Sequence, residues 1–436
     1  LKKQQRPLLL QGGRLLDPAA GVDRIADVLL VNGGIESIGA GLVAPTDAEV
    51  YNATGKIIAP GFIDLRARLR EPGLEHAETI ESGTRAAASG GFTAVCCLSN
   101  TNPCNDSATV TSFLVERARR KGAVHVLPIG ALTKGGEGEQ LAEIASMRDA
   151  GARAVGDADR TVADAALMRR ALRYADSFRL TVITHCEDQS LAAGGDIHEG
   201  ERASALGLNG IPVSAETTIL ARDLILCRET GARVHIGHIS SAAAVYLLRD
   251  AKAHDTPVTA DVAAHHLALT VDDMPAYDSN YKVRPPFRSG ADRDALIAAC
   301  ADGTVDAIVS DHAPHTGNVK MQEFDSSPFG AIALGTAVSL AIEALVHSGR
   351  ADVARLIELF SSGPARALGL NSVRIEEGQP ADLTLLDLDR AWVFDAERSP
   401  SKSKNSPFHG RSFRGGPAAS IVSGRMVWDS ERGLIP

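Results

Sequence analysis

From residue 57 onward the chain carries eight short apolar runs, each ending on polar residues: "IIAPGFIDLR", "TAVCCLSN", "VHVLPIGAL", "ARAVGD", "LTVITHCED", "RVHIGHIS", "PVTADVAAHH" and "DAIVSDHAPH". Most are separated by segments of helical periodicity, such as "DAALMRRALRYADSF" and "SAAAVYLLRDAKAHD". Runs that are apolar throughout mark strands buried on both faces, the state of a parallel sheet covered by helices. Eight such units predict an α/β fold of the TIM type, a closed (β/α)8 barrel, while the periodicity by itself also fits an open sheet.

The flanks read differently. Residues 1–56 and 372–436 alternate short strands with turns, as in "ADVLLVNGGIESIGAG" and "ASIVSGRMVWD", and predict two parts of one small β-sandwich domain built from both termini. The barrel then spans residues 57–371. The Ser/Pro/Gly-rich segment "ERSPSKSKNSPFHGRSFRGGP" predicts a surface loop.

Composition narrows the function classes. With 44% hydrophobic and 23% charged residues, the 436-residue chain has the make-up of an ordinary globular protein. A net charge of -9 with no Lys/Arg cluster argues against nucleic acid as a partner. No apolar stretch reaches the ~18 residues of a membrane helix, and the three-leucine run near the start is too short for a signal peptide. Six cysteines without a CxxC pair fit reduced thiols, so a cytoplasmic location is expected.

In a barrel of this kind the chemistry sits at the C-terminal ends of the strands. Those ends carry Arg66 and Arg68 on the first strand, Asp157 on the fourth, His185 on the fifth, His238 on the sixth and Asp311 on the eighth. Imidazole with carboxylate is a set that suits zinc. Strand alternation puts Arg66 and Arg68 on one side, whereas His235 and His238, three apart, face opposite sides. His238, nearer the strand end, is the candidate for the barrel mouth.

The motifs "PGFIDLRARLREPG", "GGFTAVCCLSNTNP", "THCED", "HIGHIS", "SDHAPH", "PFGAIALGT" and "SKSKNSPFHG", in this order, resemble the bacterial dihydroorotases of the amidohydrolase superfamily. The resemblance runs from about residue 8 to the C-terminus. It implies the same barrel and two-part β-domain. It also implies His185 and His238 as zinc ligands, Asp157 as a bridging ligand, and Asp311 as both metal ligand and general base. The substrate carboxylate would be gripped by Arg70, Asn102 and His315.

One departure stands out. Where the resemblance calls for His-x-His at the end of the first strand, this chain has Arg66-Ala67-Arg68. Guanidinium has no lone pair to give and stays charged, so it cannot ligate a metal. It would also repel one, by about 4 kcal/mol for unit charges at 4 Å and an effective dielectric of 20. The expectation is therefore one zinc ion at most, held by His185, His238, Asp157 and Asp311, or none, with Arg66 and Arg68 neutralising the carboxylates instead.

Two functions follow from the resemblance. One is an inactive or strongly impaired homologue serving as a structural partner of aspartate transcarbamoylase. The other is an active single-zinc dihydroorotase that interconverts N-carbamoyl-L-aspartate and dihydroorotate. An allantoinase or hydantoinase is less well matched, because those families use a carboxylated lysine after the fourth strand, where this chain has Asp157. A homo-oligomer is expected in either case.

Overall fold

The computed structural model describes residues 6–371 and 374–435. Eight parallel strands form the barrel: Phe62–Ala67, Phe92–Cys97, His125–Gly130, Ala154–Val155, Thr181–His185, Val234–Gly237, Val258–Ala263 and Ala307–Val309, each paired with the next in this order. The last and first are joined at their C-terminal ends, where the Arg68 N–H donates to the His312 carbonyl at 2.9 Å beside an Ala67–His312 bridge. That contact nearly closes the ring, as eight apolar runs predict.

The helices between the strands begin where the sequence supplies caps. Thr79 and Ser82 form a capping box ahead of Ile80–Ser89, Asp164 accepts from the Ala166 and Leu167 amides ahead of Ala165–Ser177, and Ser289 with Asp292 caps Gly290–Asp302. Their apolar faces and the outer faces of the strands make one large core, in which Phe360 stacks on Phe62 at 5.3 Å and meets Phe92 edge-on at 5.9 Å.

Both termini build one nine-stranded sheet. Its centre is Leu8–Asp17, flanked by Val22–Val31 and Ile57–Pro60, and the C-terminal strands Leu383–Val393, Ser412–Val422 and Arg425–Asp429 continue it beyond Ile57–Pro60. Leu10, Val28, Ile58, Leu385 and Ile421, drawn from both ends of the chain, share a second core. The run "IIAPGFIDLR" therefore serves two elements: Ile57–Pro60 pairs with Leu383–Leu386 in the terminal sheet, and the barrel strand starts only after Gly61. At Gly61 a Cβ would lie 2.3 Å from the Thr93 hydroxyl, so the crossing from sheet to barrel requires glycine. Among the described residues no helix is long and apolar enough to cross a membrane.

Candidate functional site

Arg66 and Arg68 point together into the barrel mouth and are 1% and 6% exposed. Their two forks enclose two carboxylates. Arg66 donates from Nε to Asp311 Oδ1 at 3.2 Å and from Nη2 to Asp159 Oδ1 at 3.1 Å and the Ala158 carbonyl at 3.0 Å. Arg68 donates from Nη1 to Asp311 Oδ1 at 2.9 Å, from Nε to Asp159 Oδ2 at 3.0 Å, and from Nη2 to Asp159 Oδ1. The Asn100 amide adds a bond to Asp159 Oδ2 at 3.1 Å. Room for Arg66 comes from the sixth strand, where a Cβ on Gly237 would lie 3.1 Å from Nη1.

The electrostatics follow from that geometry. Burial alone would raise the carboxyl of Asp311, but Arg68, His238 and Arg66 outweigh it and hold it well below the usual carboxylate range. Asp159 is likewise held far down, with Arg68 and Arg66 overcoming desolvation. Both acids are anions locked by cations.

The fourth-strand residue in this cluster is Asp159, not Asp157. The Asp157 carboxylate is taken up by the loop after the third strand: Oδ1 accepts from the Leu132 and Thr133 amides at 2.8 and 2.9 Å, and Oδ2 from the Thr133 hydroxyl at 2.6 Å. It lines a cavity of about 10 Å³, room for one water, that also touches His185. The fourth strand is only two residues long, and Ala158 turns at φ 53°, which swings Asp159 into the mouth. Reading strand parity forward from Val155 cannot foresee a left-handed step.

His185 and His238 do meet. His185 Nδ1 lies 2.8 Å from His238 Nε2, so one ring donates to the other, and the rings are 4.9 Å apart. His238 Nδ1 is 3.4 Å from Asp311 Oδ2, too poorly aligned for a hydrogen bond, and both it and His185 Nε2 are buried without a hydrogen-bond partner among the described residues. Burial, then Arg66, pushes His238 down to about 4, so it is a neutral imidazole at physiological pH. His235 faces the other way, as alternation requires, bonded to Thr259 and Asp261 at 2.8 Å each. Asp261 in turn accepts from the His238 amide at 2.6 Å and fixes the strand end. A further buried imidazole, His265 at the end of the seventh strand, has no hydrogen-bond partner among the described residues at either nitrogen and is lowered to about 4 by burial.

Of the three residues expected to hold a carboxylate, two are adjacent. Arg70, at φ 60° past the first strand, donates from Nε to the Pro314 carbonyl at 3.2 Å and brings Nη2 within 3.2 Å of His315 Nε2. His315 Nε2 is also 2.9 Å from the Phe329 carbonyl, which can only accept, so this nitrogen carries its proton and offers Arg70 no lone pair. Burial and then Arg70 lower His315 to about 3. Both residues line an open cavity of about 410 Å³ with His76, Thr316, Gln322 and Ser326. Asn102 is exposed and does not line that cavity; its carbonyl packs on Gly73, where a Cβ would lie 1.9 Å away.

The segment expected as a surface loop is instead a strap across the barrel mouth. Ser401, Ser403, Asn405 and Ser406 are buried. Asn405 accepts from the His315 amide at 3.0 Å and donates to the Ala313 and Gly330 carbonyls at 3.1 and 3.0 Å. Ser401 donates to buried Glu78, whose other oxygen-bound partners include His312 Nε2 at 3.3 Å. Local Ser/Pro content describes solvation in isolation and carries no trace of contacts some ninety residues away in sequence.

Comparison with known proteins bears directly on this site. Residues 55–244 match a family described as dihydro-orotase-like. The dihydroorotase of Solibacter usitatus is 51% identical over 429 residues, 98% of this chain and 100% of that protein. That of Pelotomaculum thermopropionicum is 48% identical over 420 residues, 96% and 98% of the two chains. The chain belongs to the dihydroorotase family. Among solved structures, the L-hydantoinase (dihydropyrimidinase) of Arthrobacter aurescens superposes with a TM-score of 0.86 at 24% identity, covering 99% of this chain and 98% of its own. At that identity the likeness speaks for the fold alone.

Against the zinc that dihydroorotase resemblance implies, the donor set of this family member is a poor fit. Among the described residues no group of three or more His, Cys, Asp or Glu side chains is spaced to hold a metal ion. Asp157 accepts three bonds from the neighbouring loop, Asp311 and Asp159 are occupied by guanidinium, and His185 Nδ1 and His238 Nε2 are turned to each other.

Proposed function

We propose that this dihydroorotase-family chain of pyrimidine biosynthesis is catalytically silent or strongly impaired, carries no zinc, and acts in the cytoplasm as a structural partner of aspartate transcarbamoylase. The observation that carries the reading is the double guanidinium grip on Asp311. A general base works best with a pKa near the operating pH, and Asp311 is held far below it with its Oδ1 bonded to both arginines. Guanidinium can steady an anion but cannot lower the pKa of a bound water toward 7 as zinc does. What survives is a rigid, charge-compensated barrel, which suits a scaffold. The partner itself is inferred from the resemblance to inert homologues.

A second reading, a single-zinc dihydroorotase, is favoured by one observation: His185 Nε2 and His238 Nδ1 are buried with no hydrogen-bond partner among the described residues, and such atoms ordinarily have a partner, water or ion. The experiment is to assay purified full-length protein for zinc and for interconversion of dihydroorotate and N-carbamoyl-L-aspartate, then to size it with and without aspartate transcarbamoylase. The expected result is no stoichiometric metal, no turnover and co-elution. Zinc-dependent turnover that Asp311→Asn abolishes would overturn the proposal.

A further inference from the structure

At the opposite end of the barrel from the arginine cluster, the N-terminal ends of the fifth to eighth strands surround a cavity of about 480 Å³, a size that suits a small molecule. Three cations line it: Arg233 before the sixth strand, Lys252 at the end of the helix Ala242–Ala253, and Arg366. Two carboxylates line it too. Asp306 is already shared, bonded to Lys252 Nζ at 2.7 Å, to Arg366 Nη2 at 3.0 Å and to the Ala260 amide at 2.9 Å, while Asp255 lies out in solvent.

Arg233 differs from the other two cations. Its guanidinium donates to the Arg179 carbonyl, a neutral acceptor, and among the described residues it forms no ion pair. It is laid flat on Gly369, where a Cβ would come within 2.1 Å of Nη1 and where φ is +64°. The cation is therefore held in place by backbone on two sides while its charge is left uncompensated. Beside it, Thr181 is 1% exposed and its hydroxyl has no partner among the described residues, although a buried hydroxyl ordinarily finds one. The neighbouring hydroxyl of Thr259 is already bonded to His235.

We propose that this cavity is a binding site for a phosphate group, either the free ion or a monoester of a small molecule. A phosphate offers three acceptor oxygens and nearly two negative charges, enough to meet Arg233, the remaining N–H groups of Lys252 and Arg366, and the Thr181 hydroxyl at once. A carboxylate brings a single negative charge and two oxygens, so it would meet less of the charge and fewer of the free donors than a phosphate does. The site is independent of the arginine cluster and of whether the barrel mouth catalyses anything.

The test is calorimetric titration and thermal melting of the full-length protein with inorganic phosphate, with glycerol 2-phosphate, and with sodium chloride at matched ionic strength. Saturable binding is expected for a phosphate species, with melting raised by roughly 1–2 °C near saturation. Arg233→Gln should weaken binding about 10- to 100-fold, the loss of one charge-assisted bond. Arg366→Gln, on a side chain 57% exposed whose partner Asp306 keeps its bond to Lys252, provides a second variant. Tighter binding of glycerol 2-phosphate identifies an organic monoester as the occupant; equal or tighter binding of inorganic phosphate identifies the free ion. No saturable response, a response matched by chloride, or binding unchanged in both variants overturns the proposal.

Discussion

Arg68 shows how one side chain can determine the character of a site. It bonds two carboxylates in the barrel mouth that Arg66 alone would otherwise have to pair, and Asp311 is only 4% exposed. Removing one partner of a buried pair leaves a charge behind, so Arg68→Met should cost about 3–5 kcal/mol in denaturant unfolding near neutral pH. Adding Asp311→Asn should recover much of that loss, because the penalty is the stranded charge. The sign with pH is set by carboxyls held low in the fold: their contribution is full above the ordinary value of 3.8 and fades as pH falls further. The gap between wild type and Arg68→Met should therefore narrow below pH 4. At this scale the sequence was informative in part. The shared face of Arg66 and Arg68 followed from strand parity, whereas Asp159 did not, because the left-handed Ala158 breaks the parity that would have announced it.

The elements around the mouth are pinned rather than mobile in design. The loop after the eighth strand folds back through Lys320, whose ammonium donates to the Pro328 and Gly330 carbonyls at 2.9 and 3.1 Å. Lys282 anchors the same loop, bonding Asp196 at 3.0 Å and the Phe324 carbonyl at 2.7 Å under the ring of Phe329. Burial, then repulsion from Lys282, lowers Lys320 to about 7. Between pH 7 and the ordinary lysine value of 10.5 the unfolded chain binds the extra proton, so stability should rise with pH across that window. The slope is at most about 1.4 kcal/mol per pH unit. Lys320→Met should flatten this rise, and equilibrium unfolding at a series of pH values reads it; an unchanged slope would contradict the placement. Lys320 and Asn405 gave no sign of these roles in the sequence, since a loop's turn chemistry says nothing about which distant carbonyls it will reach.

On the scale of the whole molecule, the terminal sheet and the barrel are joined by more than the chain. Leu16, Ile57, Leu386 and Phe413 from the sheet belong to the same apolar cluster as the barrel helices. The Thr384 hydroxyl accepts from the Phe62 amide at 3.2 Å and donates to the Gly91 carbonyl at 2.7 Å. A shared core should make calorimetric unfolding a single transition for sheet and barrel together; two resolved transitions would show that the sheet unfolds alone.

The sequence by itself determined the alternation of strands and helices, the union of the two termini and the presence of paired arginines at the mouth, because these rest on periodicity and on side-chain type, which are local. Only the tertiary structure decided which carboxylates those arginines meet, that the serine-rich segment is a strap, and that an uncompensated arginine lies over a cavity at the far end of the barrel. Those depend on distances between residues far apart in the chain, set by barrel closure and by single backbone steps such as Ala158 and Gly369 that no local pattern encodes.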